Sequence, residues 1–372
     1  MKWDAMFARR TQGMKRSAVR ELLKVIGQPG MISFGGGLPA PELFPVAELR
    51  EAADAVLSKH ATSALQYGES EGLPELRAWI AEQHGCAAEN VLIVSGSQQG
   101  LDLIGRVFLK EGDCVMTENP TYLAMLLAWR PWGPRFAEKD PHPKLVYCVP
   151  NFTNPAGTTL SLEERKQLVR SGNVIVEDDP YRELRYEGEA LPRMLELGGE
   201  NVIYLSTISK VLAPGLRIGW VIGAAEVIEK LALARQAADL QTSTFNQRLV
   251  LKVLQRGVLE RQIPRLQAAY RERRDAMLRA LEEHFPKEST WTRPAGGMFL
   301  MVRLAEGMDA KVVLKEALRE KVAFVPGEEF FFDGRGQNTL RLNFSNAKPE
   351  VIHAGIRRLG EVVKRVASMN KI

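Results

Sequence analysis

From Asn90 onward the chain alternates short apolar runs with longer amphipathic stretches. Val91–Val94, Cys114–Thr117, Leu145–Val149, Val174–Glu177, Val202–Leu205 and Arg217–Ile222 have the length and composition of buried strands. Between them the apolar positions shift to helical spacing, as in Leu101–Leu109, where Leu101, Ile104 and Phe108 share one face. Upstream, Ser17–Ile26 carries Val19, Leu22, Leu23 and Ile26 at the same spacing, and Val46–Leu57 reads as a helix. Another helix starts at Pro74, with Leu76, Trp79 and Ile80 on one side. Downstream, Ala224–Ala237, Gln247–Gln255 and the long Ile263–His284 are helical, the last a bridge to a second pattern. That pattern is strand Gly296–Val302, helix Ala310–Leu318, strand Val322–Val325, strand Leu340–Phe344 and helix Pro349–Val366. The alternation predicts an α/β fold: a large domain with a doubly wound, mostly parallel sheet, and a smaller α/β domain. We place the boundaries at 1–45 (an N-terminal segment belonging with the small domain), 46–270 (the large domain) and 271–372 (the small domain).

Composition changes this picture little. The 372 residues are 45% hydrophobic and 26% charged, ordinary values for a globular chain. A formal charge of +5 with no clustered basic face argues against nucleic acid as a partner. No apolar run reaches membrane-spanning length, and Met1–Arg20 lacks a signal-peptide core. Cys86, Cys114 and Cys148 are widely spaced and the histidines form no metal-ligand pair, so neither a disulfide framework nor a zinc site is expected. A cytoplasmic location is expected.

The chemistry sits just after the strand ends, where doubly wound sheets bind ligands. The fullest case is Ser206–Trp220, which follows the apolar run Asn201–Leu205. Lys210 stands there among small hydroxyl residues, and Arg217 follows a Pro-Gly turn. A buried lysine beside another cation is held near neutrality and can form a Schiff base. Thr207, Ser209 and Arg217 can hold a phosphate next to it. Pyridoxal 5′-phosphate needs both features together. Its ring nitrogen also needs a carboxylate, for which Asp178 is the candidate and Asp179 the alternative. Its phenolic oxygen needs donors, for which Tyr181 and Asn154 are placed. Tyr122 offers a stacking face, and Ser97 and Gln98 open a strand–turn–helix anion site. Met31–Pro45, with three glycines and three prolines, is a stiff loop whose backbone can approach a substrate.

The order Gly-Ser-Gln, Asn-Pro-Thr-Tyr, Asn-Pro-Ala-Gly, Asp-Asp-Pro-Tyr and Ser-x-x-Ser-Lys-x-x-x-Pro-Gly-x-Arg-x-Gly resembles fold-type I class I/II aminotransferases along nearly the whole chain. Within them it is most similar to the α-aminoadipate and kynurenine aminotransferase subgroup and to the catalytic-type domains of MocR regulators. The resemblance implies a seven-stranded-type large sheet and an amino-group transfer from an amino acid to 2-oxoglutarate by a ping-pong route. It implies that Lys210 bonds the cofactor and shuttles the substrate proton. It implies that Arg341 grips the substrate carboxylate and that Gly36 and Gly37 lie over the substrate. It also implies that Tyr67 reaches the phosphate of a partner subunit in a homodimer. Thr207 stands where many relatives carry serine.

Arg20, off the apolar face of its predicted helix, matches a residue that reads acidic side chains in the α-aminoadipate enzymes. The donor is then expected to be α-aminoadipate, an aromatic or a large aliphatic amino acid. Two other readings stay open at this level. One is a lyase or decarboxylase on the same scaffold. The other is a MocR-like regulator, for which about thirty residues before the Gly-Gly-Gly loop leave too little chain to form a DNA-binding domain.

Overall fold

The computed structural model describes residues 2–14 and 29–369. The expected helix Ser17–Ile26, with Arg20, lies outside the described residues. In chain order the strands are β1 (Ile32–Ser33), β2 (Val91–Val94), β3 (Cys114–Thr117), β4 (Arg135–Ala137), β5 (Leu145–Cys148), β6 (Ile175–Asp178), β7 (Val202–Thr207), β8 (Gly219–Ile222), β9 (Thr290–Trp291), β10 (Phe299–Arg303), β11 (Val322–Ala323), β12 (Val325–Pro326) and β13 (Thr339–Asn343). The α-helices are α1 (Val46–Leu65), α2 (Pro74–His84), α3 (Ser97–Phe108), α4 (Leu123–Trp129), α5 (Leu162–Arg170), α6 (Met194–Gly198), α7 (Ala225–Asp239), α8 (Thr244–Gln255), α9 (Val258–His284), α10 (Ala310–Arg319) and α11 (Pro349–Met369).

β2 to β8 form a seven-stranded sheet in the order β2-β8-β7-β6-β5-β3-β4. Neighbours are parallel from β7 to β4, and β8 runs against both β7 and β2. Every residue of β2, β5, β6 and β7 is buried, because helices cover both faces. Side chains alternate between the two layers. Leu92, Val94, Tyr147, Val176, Leu205 and Val221 join a core with α3, α4 and α9. Val91, Ile93, Tyr204 and Ile222 join another with α2 and α8. The edge strand β4, only Arg-Phe-Ala, is too short to leave a sequence pattern.

The small domain is an antiparallel sheet, β12-β13-β10-β9, packed with α10 and α11. The expected strand Val322–Val325 is divided. Val322–Ala323 pairs in parallel with β1, while Val325–Pro326 pairs with β13. Fully buried Phe324 is where the chain leaves one sheet for the other, so a single apolar run serves two. The segment after β1 is stitched to this domain. Phe34 N donates to Ala323 O (2.8 Å), Asn343 N to Phe34 O (2.8 Å) and Ser345 Oγ to Leu38 O (2.9 Å).

Candidate active site

Parallel strands bring their carboxyl ends to one edge of a sheet. β8, being antiparallel, brings its amino end there instead. Residues after β2, β5, β6 and β7 and those before β8 therefore converge on one cavity of about 930 Å³. Its walls include Ser97, Gln98, Tyr122, Asn154, Asp178, Tyr181, Thr207, Ser209, Lys210 and Arg217, and its roof Gly37 and Arg341. Gly36 is buried next to Gly37 but does not line the cavity. Tyr67 is 77% exposed and borders a separate hollow, away from this cavity.

At one end the backbone forms an anion cradle. α3 starts at Ser97, four residues before the expected Leu101, so Ser97 and Gln98 occupy its first turn. Amides in a helix's first turn have no acceptor within the helix and face the positive end of its dipole. Gly96 takes φ +77°, and a Cβ there would lie 2.4 Å from Arg217 Nη2. A Cβ on Gly219 would lie 2.7 Å from Ser97 N. The two glycines thus let the Arg217 guanidinium and the helix end share one small volume. Arg217 is not in a strand, as the sequence reading had it: it takes φ 54° in the turn before β8, and donates to Ser95 O at 2.8 Å. Its apolar neighbours Ile218 and Trp220 account for that expectation. Gln98 donates its side-chain amide to Ala124 O (3.2 Å). Thr207 Oγ1 donates to Ile218 O (2.8 Å) and lies 2.8 Å from Ser209 Oγ.

Lys210 ends the short turn after β7, and its Nζ donates to Gly37 O at 3.1 Å. Burial, then the Arg341 and Arg217 charges, lower its pKa to about 8, against a smaller opposing pull from Asp178. The last residue of β6, Asp178, is buried. Its Oδ2 accepts from Tyr147 Oη at 2.9 Å, while Oδ1 is buried without a partner. Burial raises its pKa to about 7 although the Tyr147 bond acts in the opposite direction. Asp179 points elsewhere: it accepts from Asn151 Nδ2 at 2.8 Å and does not line the cavity. Burial raises the Tyr181 hydroxyl, and Asn154 hydrogen-bonds to it.

Arg341, in the middle of β13, donates to Asn154 Oδ1 (2.7 Å) and Gly35 O (2.5 Å). Its guanidinium lies between the Phe299 ring (4.3 Å) and the Phe330 ring (4.9 Å). It forms no ion pair among the described residues, and its Nε has no acceptor. Burial lowers its pKa to about 10. Three side chains were missed from the sequence. Tyr147 is fully buried in an apolar strand, and a buried tyrosine needs a partner for its hydroxyl, which was the available signal. Phe299 and Phe330 left none, since core phenylalanines are common.

The donor set fits pyridoxal 5′-phosphate. The unpartnered Asp178 Oδ1 suits a ring N–H, the Gly96 cradle a phosphate and Lys210, its pKa lowered to about 8, an aldehyde. A model of the aminotransferase class I and II family matches residues 31–131 and 135–359. The 2-aminoadipate transaminase of Thermus thermophilus is 44% identical, over 99% of both chains. Aromatic-amino-acid aminotransferase 1 of Thermococcus litoralis is 43% identical, over 97% of this chain and 95% of its own. The crystal structure of LysN, an α-aminoadipate aminotransferase from Thermus thermophilus, superposes with a TM-score of 0.94 at 42% identity, covering 99% of this chain and 100% of that one. It was solved with N-(5′-phosphopyridoxyl)-L-leucine. With a matching family model, relatives alike over their full lengths and a cavity that fits the cofactor, the chain is a member of the class I and II aminotransferases, enzymes that depend on pyridoxal 5′-phosphate.

Proposed function

We propose that the chain moves an amino group from α-aminoadipate, an aromatic or a large aliphatic amino acid to 2-oxoglutarate, in a ping-pong cycle. The observation that carries this is Arg341: a buried guanidinium with no counter-ion among the described residues, opening onto the cavity that holds Lys210. Such a cation is costly unless the ligand supplies the anion, and every substrate in this reaction carries an α-carboxylate. The relatives' printed activities, on 2-aminoadipate and on aromatic amino acids, support the choice of donors. So do the apolar cavity residues Leu123, Leu127 and Phe330, which suit a large apolar side chain.

The bound cofactor supplies the electron sink that makes the substrate α-hydrogen acidic. The chain does the rest. Asp178 Oδ1 holds the ring-nitrogen proton, and Tyr147, bonded to Oδ2, fixes the carboxylate's direction. Lys210 Nζ takes the proton from the substrate α-carbon and returns it, which suits a base whose pKa lies near 8. Tyr181 and Asn154 face the phenolic oxygen. Ser97, Gln98, Thr207, Ser209 and Arg217 would hold the phosphate, and Tyr122 would offer the ring a stacking face. Arg341 orients the α-carboxylate, Gly37 roofs the substrate and Phe299 keeps water from it.

The working unit in this proposal is a homodimer, in which exposed Tyr67 completes the phosphate site of the other subunit. Arg20 would admit an acidic side chain. The test is a panel of amino acids with 2-oxoglutarate as acceptor, following glutamate and the matching 2-oxo acid. Carbon dioxide or elimination products in place of the 2-oxo acid would replace transfer by lyase chemistry. Sedimentation of a fully active monomer would refute the shared site.

A further inference from the structure

The end of α9 and the second turn of α11 meet on the surface of the small domain, and there three metal-ligating side chains point at one another. We propose that Glu283, His284 and His353 form a site for a divalent transition metal, suited to zinc, that pins α9 to α11. His284 Nε2 and His353 Nε2 lie 3.4 Å apart. His353 Nε2 lies 3.3 Å from Glu283 Oε2, and His284 Nε2 lies 3.6 Å from Glu283 Oε1. Zinc bonds of about 2.0–2.1 Å place neighbouring donors of a tetrahedron about 3.3–3.4 Å apart. The two imidazole nitrogens are therefore spaced as two corners of such a tetrahedron, the Glu283 carboxylate lies alongside with one oxygen toward each histidine, and the remaining corner is left for water.

Both imidazoles offer the same ring nitrogen to one point. Without a cation, a neutral pair can place only one hydrogen between those nitrogens. Imidazole donors favour zinc, copper or nickel over magnesium or calcium, which prefer oxygen. The site is also held in place by the fold. A Cβ on Gly360 of α11 would lie 2.6 Å from His284 O, so this glycine lets α11 pack closely against the end of α9 that carries Glu283 and His284. None of the three residues lines the cofactor cavity. The helix they would pin is the one that carries Tyr270, whose hydroxyl holds Ala40 N at 3.0 Å at the end of the stitched segment.

The test uses untagged holoenzyme, treated with a chelator and titrated with Zn(II), and in parallel with Co(II). One tight equivalent per chain is expected, with the intense visible bands of tetrahedral cobalt and a rise in Tm on adding zinc. Loss of even an outer partner of a metal ligand costs about 10–100-fold in affinity, so His353→Ala should weaken binding by at least about 100-fold. The same variant should lose the Tm rise and keep its transaminase rate. Glu283→Gln keeps the size of the side chain and should weaken binding as well. Undiminished affinity in both variants, a weak octahedral cobalt spectrum, or no binding beyond that of the double variant His284→Ala/His353→Ala would each overturn the proposal.

Discussion

Two neighbourhoods lie back to back at the carboxyl end of β6, and each holds one carboxylate of the Asp178–Asp179 pair and one buried arginine. Behind the cavity, Arg165 of α5 donates to Leu160 O (3.1 Å), Pro192 O (2.9 Å), Pro150 O (2.9 Å) and Asn151 Oδ1 (2.8 Å). Asn151 in turn donates to Asp179 Oδ1 at 2.8 Å, while Asp179 Oδ2, like Asp178 Oδ1, is buried without a hydrogen-bond partner. On the cavity side, Arg341 has two acceptors and an idle Nε, and Asp178 has an idle Oδ1. The residue types are alike, and so is the burial. The difference lies in the arginines and in access: every guanidinium nitrogen of Arg165 has an acceptor while Arg341 Nε has none, and of the four residues only Asp178 and Arg341 open onto the cavity.

Four experiments press on this contrast, ranked by their expected effect on turnover. Lys210→Ala should lower kcat by at least about 10⁴-fold, because the proton shuttle is gone. Its Tm should hold or rise, since a costly buried cation is removed with it. Borohydride reduction and peptide mapping of the wild type should find the cofactor on Lys210, and a cofactor adduct on another lysine would break the assignment.

The second experiment compares neighbours. Asp178→Asn should slow the half-reaction about 10²–10⁴-fold with the fold intact. Asp179→Asn should lower Tm and leave the rate per folded molecule near wild type. Exchanged phenotypes would reverse the roles given to the two sides. The third pairs the arginines. Arg341→Met should raise KM for amino acids and 2-oxo acids alike by about tenfold to 150-fold, the ~1.5–3 kcal/mol of a charged hydrogen bond. Arg165→Met should instead cost about 3–5 kcal/mol of stability, as when one partner of a buried ionic network is removed. Denaturant melts beside kinetics on the same samples would separate the two.

The smallest effect is on pH. Only a neutral amine attacks an aldehyde. For a pKa near 8, the rate at which apoprotein attaches the cofactor should rise about tenfold per pH unit below 8 and level off above it. A lysine at the ordinary 10.5 would keep rising past 10. A rate still climbing at pH 10 would show that Lys210 is not desolvated as its surroundings require.

Much of this was legible because the sheet is buried on both faces. Continuous apolar runs then mark strands, and the first polar residues after them mark the ligand edge. That is how Asp178 and Lys210 stand out, and why Asp179 reads as secondary. Other features depend on tertiary packing and leave no local trace. The clamp of Phe299 and Phe330 on Arg341 joins residues far apart in sequence. Gly96 matters only because Arg217 folds back beside it. The early start of α3 escaped for a related reason: Ser97-Gln98-Gln99-Gly100 is polar, yet it begins a helix whose apolar face starts at Leu101. The family match and the full-length transaminase relatives place the chain among the aminotransferases.

The pairing of β1 with β11 has a mechanical consequence. Gly35, whose carbonyl holds Arg341, and Gly37, whose carbonyl receives Lys210, hang from the small domain through Phe34. Arg341 belongs to the four-stranded sheet of the same domain. Ceiling and carboxylate grip are thus one jaw, and Lys210 sits on the opposing jaw with the seven-stranded sheet. If the jaws open, Arg341 keeps its grip on Gly35. The bonds across the cavity that must lengthen are then the 3.1 Å link from Lys210 to Gly37 and the 2.7 Å link from Arg341 to Asn154, which together latch the two halves.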